Sequence, residues 1–249
     1  MKRNFILVLI VATAIFLRVY KLSEVPVGLH GDEASIGYNA YSLLKTAKDQ
    51  DGNFLPLSFD QFGNFRAAGY QYIDIPFIAV LGLNALAVRL PAALFGSATI
   101  LVFYFFLLAF FEKKSMALLG SFLLAILPWH INISRASSEA VIASFFVIGG
   151  IYLVYKDTFI WGFVSFLISF FFYHAAGPFV LVFLPILLVL SKKNRLRSWV
   201  VYIALIIGFV VFLTAGSGKG RVSQVSLLNI PGGTRELIQS MDEDGQQNP

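Results

Sequence analysis

Apolar runs separated by short polar breaks set the rhythm of this chain. Residues 5–22, 90–111, 116–132, 138–155 and 198–214 each come close to the roughly 20 residues that cross a hydrocarbon core as a helix. The stretch 159–190 is too long for one comfortable crossing and slightly short for two at about 1.5 Å per residue. Gly177 and Pro178 interrupt it, and proline stops and restarts helices, so two spans are expected there. A different pattern fills 23–89. From Ala34, apolar residues recur at Ile36, Ala40, Leu43, Leu44 and Ala47, which predicts an amphipathic helix with Asp32 available to cap its start. The turn "KDQDGN" follows, and then 67–83 gives a second apolar segment interrupted by Asp74 and Pro76. Both suit helices lying at a membrane surface with one face in lipid.

Charge fixes the direction of the pattern. With two spans in 159–190, the residues Lys2, Arg3, Lys113, Lys114 and Lys156 and the run "SKKNRLRS" at 191–198 share one side, which the positive-inside rule makes cytoplasmic. The expectation is an all-α integral membrane protein with about seven transmembrane helices and two interfacial helices. Its N-terminus lies in the cytoplasm, and the first loop, 23–89, and the C-terminus lie outside. Residues 1–214 form one membrane domain. Residues 215–249, ending "DEDGQQNP", read as the start of a second outer loop or as a cut tail. The first apolar run follows a basic start but precedes no small-residue cleavage site, so it reads as a retained span and not as a signal peptide.

Composition agrees: 57% of residues are hydrophobic and 13% charged, against about 25% charged in soluble domains. The net charge of +5 is scattered between apolar runs and forms no face for nucleic acid. The absence of cysteine excludes disulfides, thiolate metal sites and cysteine nucleophiles. Two look-alike motifs fall away on spacing. "AGSGKGR" has no Ser or Thr after Lys219 and is no phosphate loop, and "DQDGN" places Gly52 too early for a calcium loop, so a turn accounts for it.

Charges close to lipid are costly and tend to mark function. On the expected outer face these are Asp32, Glu33, Arg66, Asp74, Arg89, Arg135 and Glu139. Glu24, Asp74 and Arg89 read as interfacial charges that stay hydrated. Asp32 and Glu33 lie at a Gly-flanked helix start, where the dipole favours carboxylate, and they suit either capping or a general base. Arg135 and Glu139, four apart, would pair with each other on a helix face. Alternatively, Arg135 turns its guanidinium fork toward a phosphate, with Arg66 and His174 on the same side of the membrane. Two adjacent acids can hold a divalent metal with help from further ligands, but nothing in the spacing demands one.

Three stretches taken together, "LRVYKLSEVPVGLHGDEASIGYNAYSLL", "FRAAGYQYIDIPFIAVLGLNALAVRLPAALFGSATI" and "INISRASSEAVIASFFVIGGIYLVYK", resemble the membrane glycosyltransferases of the GT-C class. The likeness is to the dolichyl-phosphate-mannose protein mannosyltransferase-like and aminoarabinose-transferase-like families, over roughly residues 15–180. "GRVSQVSLL" at 220–228 resembles the start of the family's next outer loop. The resemblance implies an inverting transfer of a sugar from a polyprenyl-phosphate donor to a lipid, glycan or protein acceptor, outside the cytoplasmic membrane. It places Asp32 at the catalytic base, Glu33 beside it in an orienting or metal-holding role, and Arg66 and Arg135 near the donor phosphate. Where such proteins often carry Lys-Pro-Pro or Arg-Glu-Pro, this chain has "RAAGY"; family members are also about twice as long, so the chain corresponds to an N-terminal module. The competing class is a non-catalytic membrane module that binds a lipid-phosphate carrier or an assembly partner. A transporter is disfavoured because the spans carry almost no polar residues at mid-depth.

Overall fold

The structure, a computed structural model, describes residues 2–61, 64–190 and 195–214. The tail from 215 and its outer-loop likeness lie outside the described residues. Among these there are ten helices and one short hairpin. In order they are α1 (Lys2–Val19), α2 (Gly31–Thr46), β1 (Ser58–Gln61), β2 (Asn64–Ala67), α3 (Gly69–Leu81), α4 (Ala85–Phe111), α5 (Lys114–Ile126), α6 (Pro128–Arg135), α7 (Glu139–Tyr155), α8 (Phe159–Phe172), α9 (Ala176–Leu190) and α10 (Arg195–Thr214). The chain is thus mainly helical as expected, but the antiparallel hairpin departs from an all-α fold. It pairs Phe59 with Arg66. Phe59 is buried with Leu43 and Ala68, which fixes the hairpin against α2.

One described helix, α4, is long and apolar enough by itself to cross a membrane. The run expected as a single span over 116–132 is instead α5 and α6, bent by 55°. The cause is local: Leu127 precedes Pro128 and is extended, with φ −64° and ψ 116°, as residues before proline prefer. The bend strips the last carbonyls of α5 of helical partners. Arg18 of α1, fully buried, supplies them, donating to Ala125 O at 3.1 Å and Leu124 O at 3.4 Å. His130 Nδ1 lies 2.8 Å from the same guanidinium.

The break in 159–190 falls at 173–175, before Gly177 and Pro178. Pro178 sits in the first turn of α9, where a missing N–H has no helical acceptor to serve. Gly177 instead marks close packing, since a Cβ there would lie 2.1 Å from the Phe209 ring of α10.

At the centre, α4, α7 and α8 pack through Val88, Ala92, Ile142, Val147, Phe166 and Phe170. Gly150 lets α7 approach α8 so closely that a Cβ would stand 2.6 Å from the Phe166 ring. At one end of the helices Arg89 of α4 pairs with Glu33 in the first turn of α2, and Arg66 of β2 joins Asp32 to Glu139 at the start of α7.

Candidate functional site

His30, not Asp32, caps α2. Its Nδ1 accepts from Asp32 N at 3.3 Å, and Glu33 Oε2 accepts the His30 N–H at 3.0 Å, closing a capping box. The His30 side chain thus fills the capping role expected of Asp32. The Asp32 carboxylate reaches across to the hairpin and accepts from Arg66 Nη2 at 2.6 Å. Arg66 Nη1 meets Glu139 Oε1 at 3.4 Å. One guanidinium thus bridges two carboxylates from two helices, while its buried Nε has no partner among the described residues. Asp32 is the most open of the three, with 38% of its side chain exposed.

Glu33 faces the other way. Arg89 of α4 grips it with both ends of the fork, Nε to Oε1 and Nη2 to Oε2, each at 2.8 Å. Ser137 adds its backbone N–H at 3.2 Å. Burial pushes the Glu33 carboxyl up, but the Arg89 hydrogen bonds, the His30 and Ser137 N–H groups and the Arg89 charge outweigh it and hold the group below the usual glutamate value. Arg89 also donates to Leu22 O at 3.2 Å, Pro26 O at 2.8 Å and Gly28 O.

The two adjacent acids therefore diverge, and Glu33 is fully occupied. Among the described residues no three His, Cys, Asp or Glu side chains gather to hold a metal.

Several expectations are corrected by these contacts. Arg135 and Glu139 do not pair along a helix, because α6 ends at Arg135 and Ala136 is extended. Glu139 turns to Arg66 instead. The Arg135 fork points into the chain, donating to Leu17 O at 2.9 Å and Val25 O at 2.8 Å, away from the chamber described below. Arg89 and Asp74 are not hydrated surface charges: both are fully buried. Among the described residues neither Asp74 oxygen has a hydrogen-bond partner, and burial pushes its carboxyl up to about 8. Glu24 behaves as expected, exposed in an ion pair with Lys21 at 3.5 Å.

Beside the Arg66 bridge lies a chamber of about 300 Å³ lined by Arg66, Ser138, Glu139, Phe172, Tyr173 and His174, with Ala67 and Ala140. Of the phosphate-site candidates, Arg66 and His174 come together here. An apolar groove of about 400 Å³ adjoins it between α7 and α9, walled by Ala143, Val147, Ile148, Ala176 and Phe179 among others. Ala140 and Tyr173 line both spaces. The chemistry offered is a cation flanked by carboxylates at the head of a greasy channel.

Sequence reading missed the partners that fix this end of the molecule. Tyr70 inserts its hydroxyl into the α4 ladder, donating to Val88 O at 2.8 Å and accepting from Ala92 N at 3.3 Å. Ser137 reaches the same Val88 carbonyl at 3.0 Å. The cost of burying Arg89 signals that a partner exists, but Glu33 lies 56 residues away and no local spacing names it.

No protein-family model matches the chain, and no curated protein matches it. Among solved structures, it is similar to the archaeal oligosaccharyltransferase AglB from Archaeoglobus fulgidus, determined in complex with an inhibitory peptide and a dolichol-phosphate. The TM-score is 0.63 at 13% identity, over 86% of this chain and 29% of that one. At that identity the likeness is one of fold. The chain spans less than a third of the length of that neighbour.

Proposed function

We propose that the chain is a membrane glycosyltransferase module that takes a polyprenyl-phosphate-linked sugar and transfers the sugar, with inversion, to an acceptor on the outer face of the cytoplasmic membrane. The observation that carries this reading is the junction of chamber and groove. A polar space of about 300 Å³ with the Arg66 guanidinium in its lining adjoins an apolar one of about 400 Å³, which suits a ligand with a charged phosphate head and an isoprenoid chain. The similar AglB structure holds a dolichol-phosphate, a ligand of the same kind.

Seven spans with the N-terminus inside remain the topology that best suits the charges. Two tryptophans support it. On that topology Trp129 falls at the outer boundary and Trp161 at the inner one, and both are well exposed, at 63% and 68%, as interfacial belts require. Leu9 and Phe16 of α1 and Val182 of α9 are likewise exposed apolar residues, placed to face lipid.

In the proposed reaction Asp32 takes the proton from the acceptor hydroxyl or amine as that atom attacks the anomeric carbon. The bond from that carbon to the phosphate oxygen breaks on the opposite face. The electron pair leaves with the lipid phosphate, whose charge Arg66 stabilises, with His174 close by. Glu33 orients the segment that carries Asp32. In the ligand-free protein Arg66 is held by Asp32 and Glu139; a donor phosphate competes for the guanidinium and leaves the Asp32 carboxylate for the acceptor. Glu139 keeps Arg66 aimed at the chamber.

That same Asp32–Arg66 pair, with base and cation neutralising each other at 2.6 Å, favours a second reading in which the chain binds a lipid-phosphate carrier without catalysis. One experiment separates the two. The chain in lipid nanodiscs is offered labelled polyprenyl-phosphate sugars, and both bound donor and released polyprenyl phosphate are followed. Transfer lost in Arg66→Ala supports the enzyme, and binding without release supports the carrier module. Neither binding nor release refutes both.

A further inference from the structure

We infer that the strap between α1 and α2, residues 25–29 with Val27 at its tip, is inserted into the outer leaflet of the bilayer and moors the start of α2 there. This is a contact with lipid and needs no sugar transfer. It rests on one element of the proposed function, the placement of residues 23–89 outside the cytoplasmic membrane.

The backbone of the strap is the first argument. Residues 21–30 form neither helix nor strand, so no ladder serves their carbonyls. Two buried arginines serve them instead. Arg89 donates to the carbonyls of Leu22, Pro26 and Gly28, and Arg135 donates to that of Val25. The Val25 N–H goes to Lys21 O at 2.9 Å, the His30 N–H goes to Glu33, and Pro26 has no N–H to satisfy. A loop bathed in water needs no such help, because water itself donates and accepts. Backbone that leaves water must find its partners inside the protein.

The side chains point the other way. Val27 is 94% exposed, Val25 and Leu29 are exposed with it, and no charged residue lies between Glu24 and His30. In water the strap would display a run of apolar surface. Continuity with α1 decides what covers it. Phe16 and Tyr20 at the end of α1, with ring centroids 5.1 Å apart, are both exposed and carry the apolar outer surface of that helix up to the strap. A tyrosine at this level suits the boundary between acyl chains and headgroups. The ion pair of Lys21 and Glu24 then lies among the headgroups, and the uncharged strap beyond it dips into the leaflet to the depth of about 5–10 Å typical of interfacial segments.

The consequence reaches the candidate site. Val27 lies five positions before Asp32, and Arg89 holds both Gly28 O and the Glu33 carboxylate. An inserted strap therefore fixes the height of the α2 start and keeps Asp32 near the level of the lipid phosphates.

The chain has no cysteine, so single-cysteine variants each report one position. Val27→Cys and Leu29→Cys probe the strap. Asp51→Cys, in the exposed turn that follows α2, is the control in the same outer loop. Each variant carries an environment-sensitive fluorophore in lipid nanodiscs and is quenched either by lipids brominated near the top of the acyl chain or by aqueous iodide. The strap labels should lose most of their emission to the brominated lipid and little to iodide, and the Asp51 label should do the reverse. Strap labels quenched by iodide as readily as the control overturn the inference, because the strap then stands in water. Protection from both quenchers overturns it too, because a protein surface then covers the strap. A membrane-impermeant maleimide applied to intact cells separates either failure from a failure of the topology: Asp51→Cys should react, and Lys156→Cys, in the turn between α7 and α8, should not. The reversed pattern overturns the outer placement and the proposed function with it.

Discussion

Replacing Asp74 with asparagine should stabilise the protein, and more so as the pH rises. Asp74 is fully buried in α3, its oxygens have no hydrogen-bond partner among the described residues, and burial pushes its carboxyl from 3.8 up to about 8. Between those two values the folded state keeps a proton that the unfolded chain has lost, so stability falls with pH across that window and levels off above it. At about 1.4 kcal/mol per tenfold change in proton affinity, the full gap corresponds to about 6 kcal/mol. That figure is an upper bound, because local opening admits water to the carboxylate and relieves part of the cost. Asparagine keeps the shape and has no charge to lose. Thermal unfolding in detergent, followed by intrinsic fluorescence from pH 4.5 to 8.5, should show the two proteins diverging as the pH rises, with the variant the more stable by a few kcal/mol at the top. A constant difference between them, or a variant that is the weaker at pH 8.5, would refute the burial argument.

The Glu33–Arg89 pair behaves in the opposite sense. Because its carboxyl is held below the usual value, its contribution is complete above about 4.5 and is lost as the pH falls through the lowered value. Arg89→Met should cost about 3–5 kcal/mol by stranding Glu33, and adding Glu33→Gln should recover part of that loss in the same unfolding assay. At the α7–α8 contact, Gly150→Ala should destabilise by about 1–3 kcal/mol, since the new methyl would meet the Phe166 ring; pairing it with Phe166→Leu should return stability, and failure to do so would mean that the contact is not what limits that position.

Much of the architecture was legible in the apolar rhythm, since its lengths translate directly into helices. The helices expected over 34–47 and 67–83 appear as α2 and α3, and the pair expected within 159–190 appears as α8 and α9. What escaped was set by single residues acting at a distance. Leu127–Pro128 looked like the interior of one span, yet the rule for residues before proline bends it. Arg18 lies inside the apolar run expected as the first span and is a buried cap for α5. The hairpin is too short for its alternation to stand out. At the site, the Asp-Glu pair was conspicuous as charge beside apolar residues, but its division is three-dimensional. Asp32 meets a hairpin arginine and Glu33 a span arginine, and adjacency in sequence hides opposite directions in space. Arg135 suits either a Glu139 partner or a phosphate by its spacing and chemistry; the carbonyls of the 17–25 segment claim it first.

Asp32 carries the central claim, and sugar transfer with Asp32→Asn in nanodiscs tests it most directly. The wild-type chain is supplied with a polyprenyl-phosphate sugar that it binds, plus an acceptor hydroxyl or amine, and released polyprenyl phosphate is quantified. Asparagine still accepts a hydrogen bond from Arg66 but cannot take the acceptor's proton. The proposed assignment predicts a loss of about 10²-fold or more in kcat, with donor binding retained. Transfer at the wild-type rate in Asp32→Asn would contradict it.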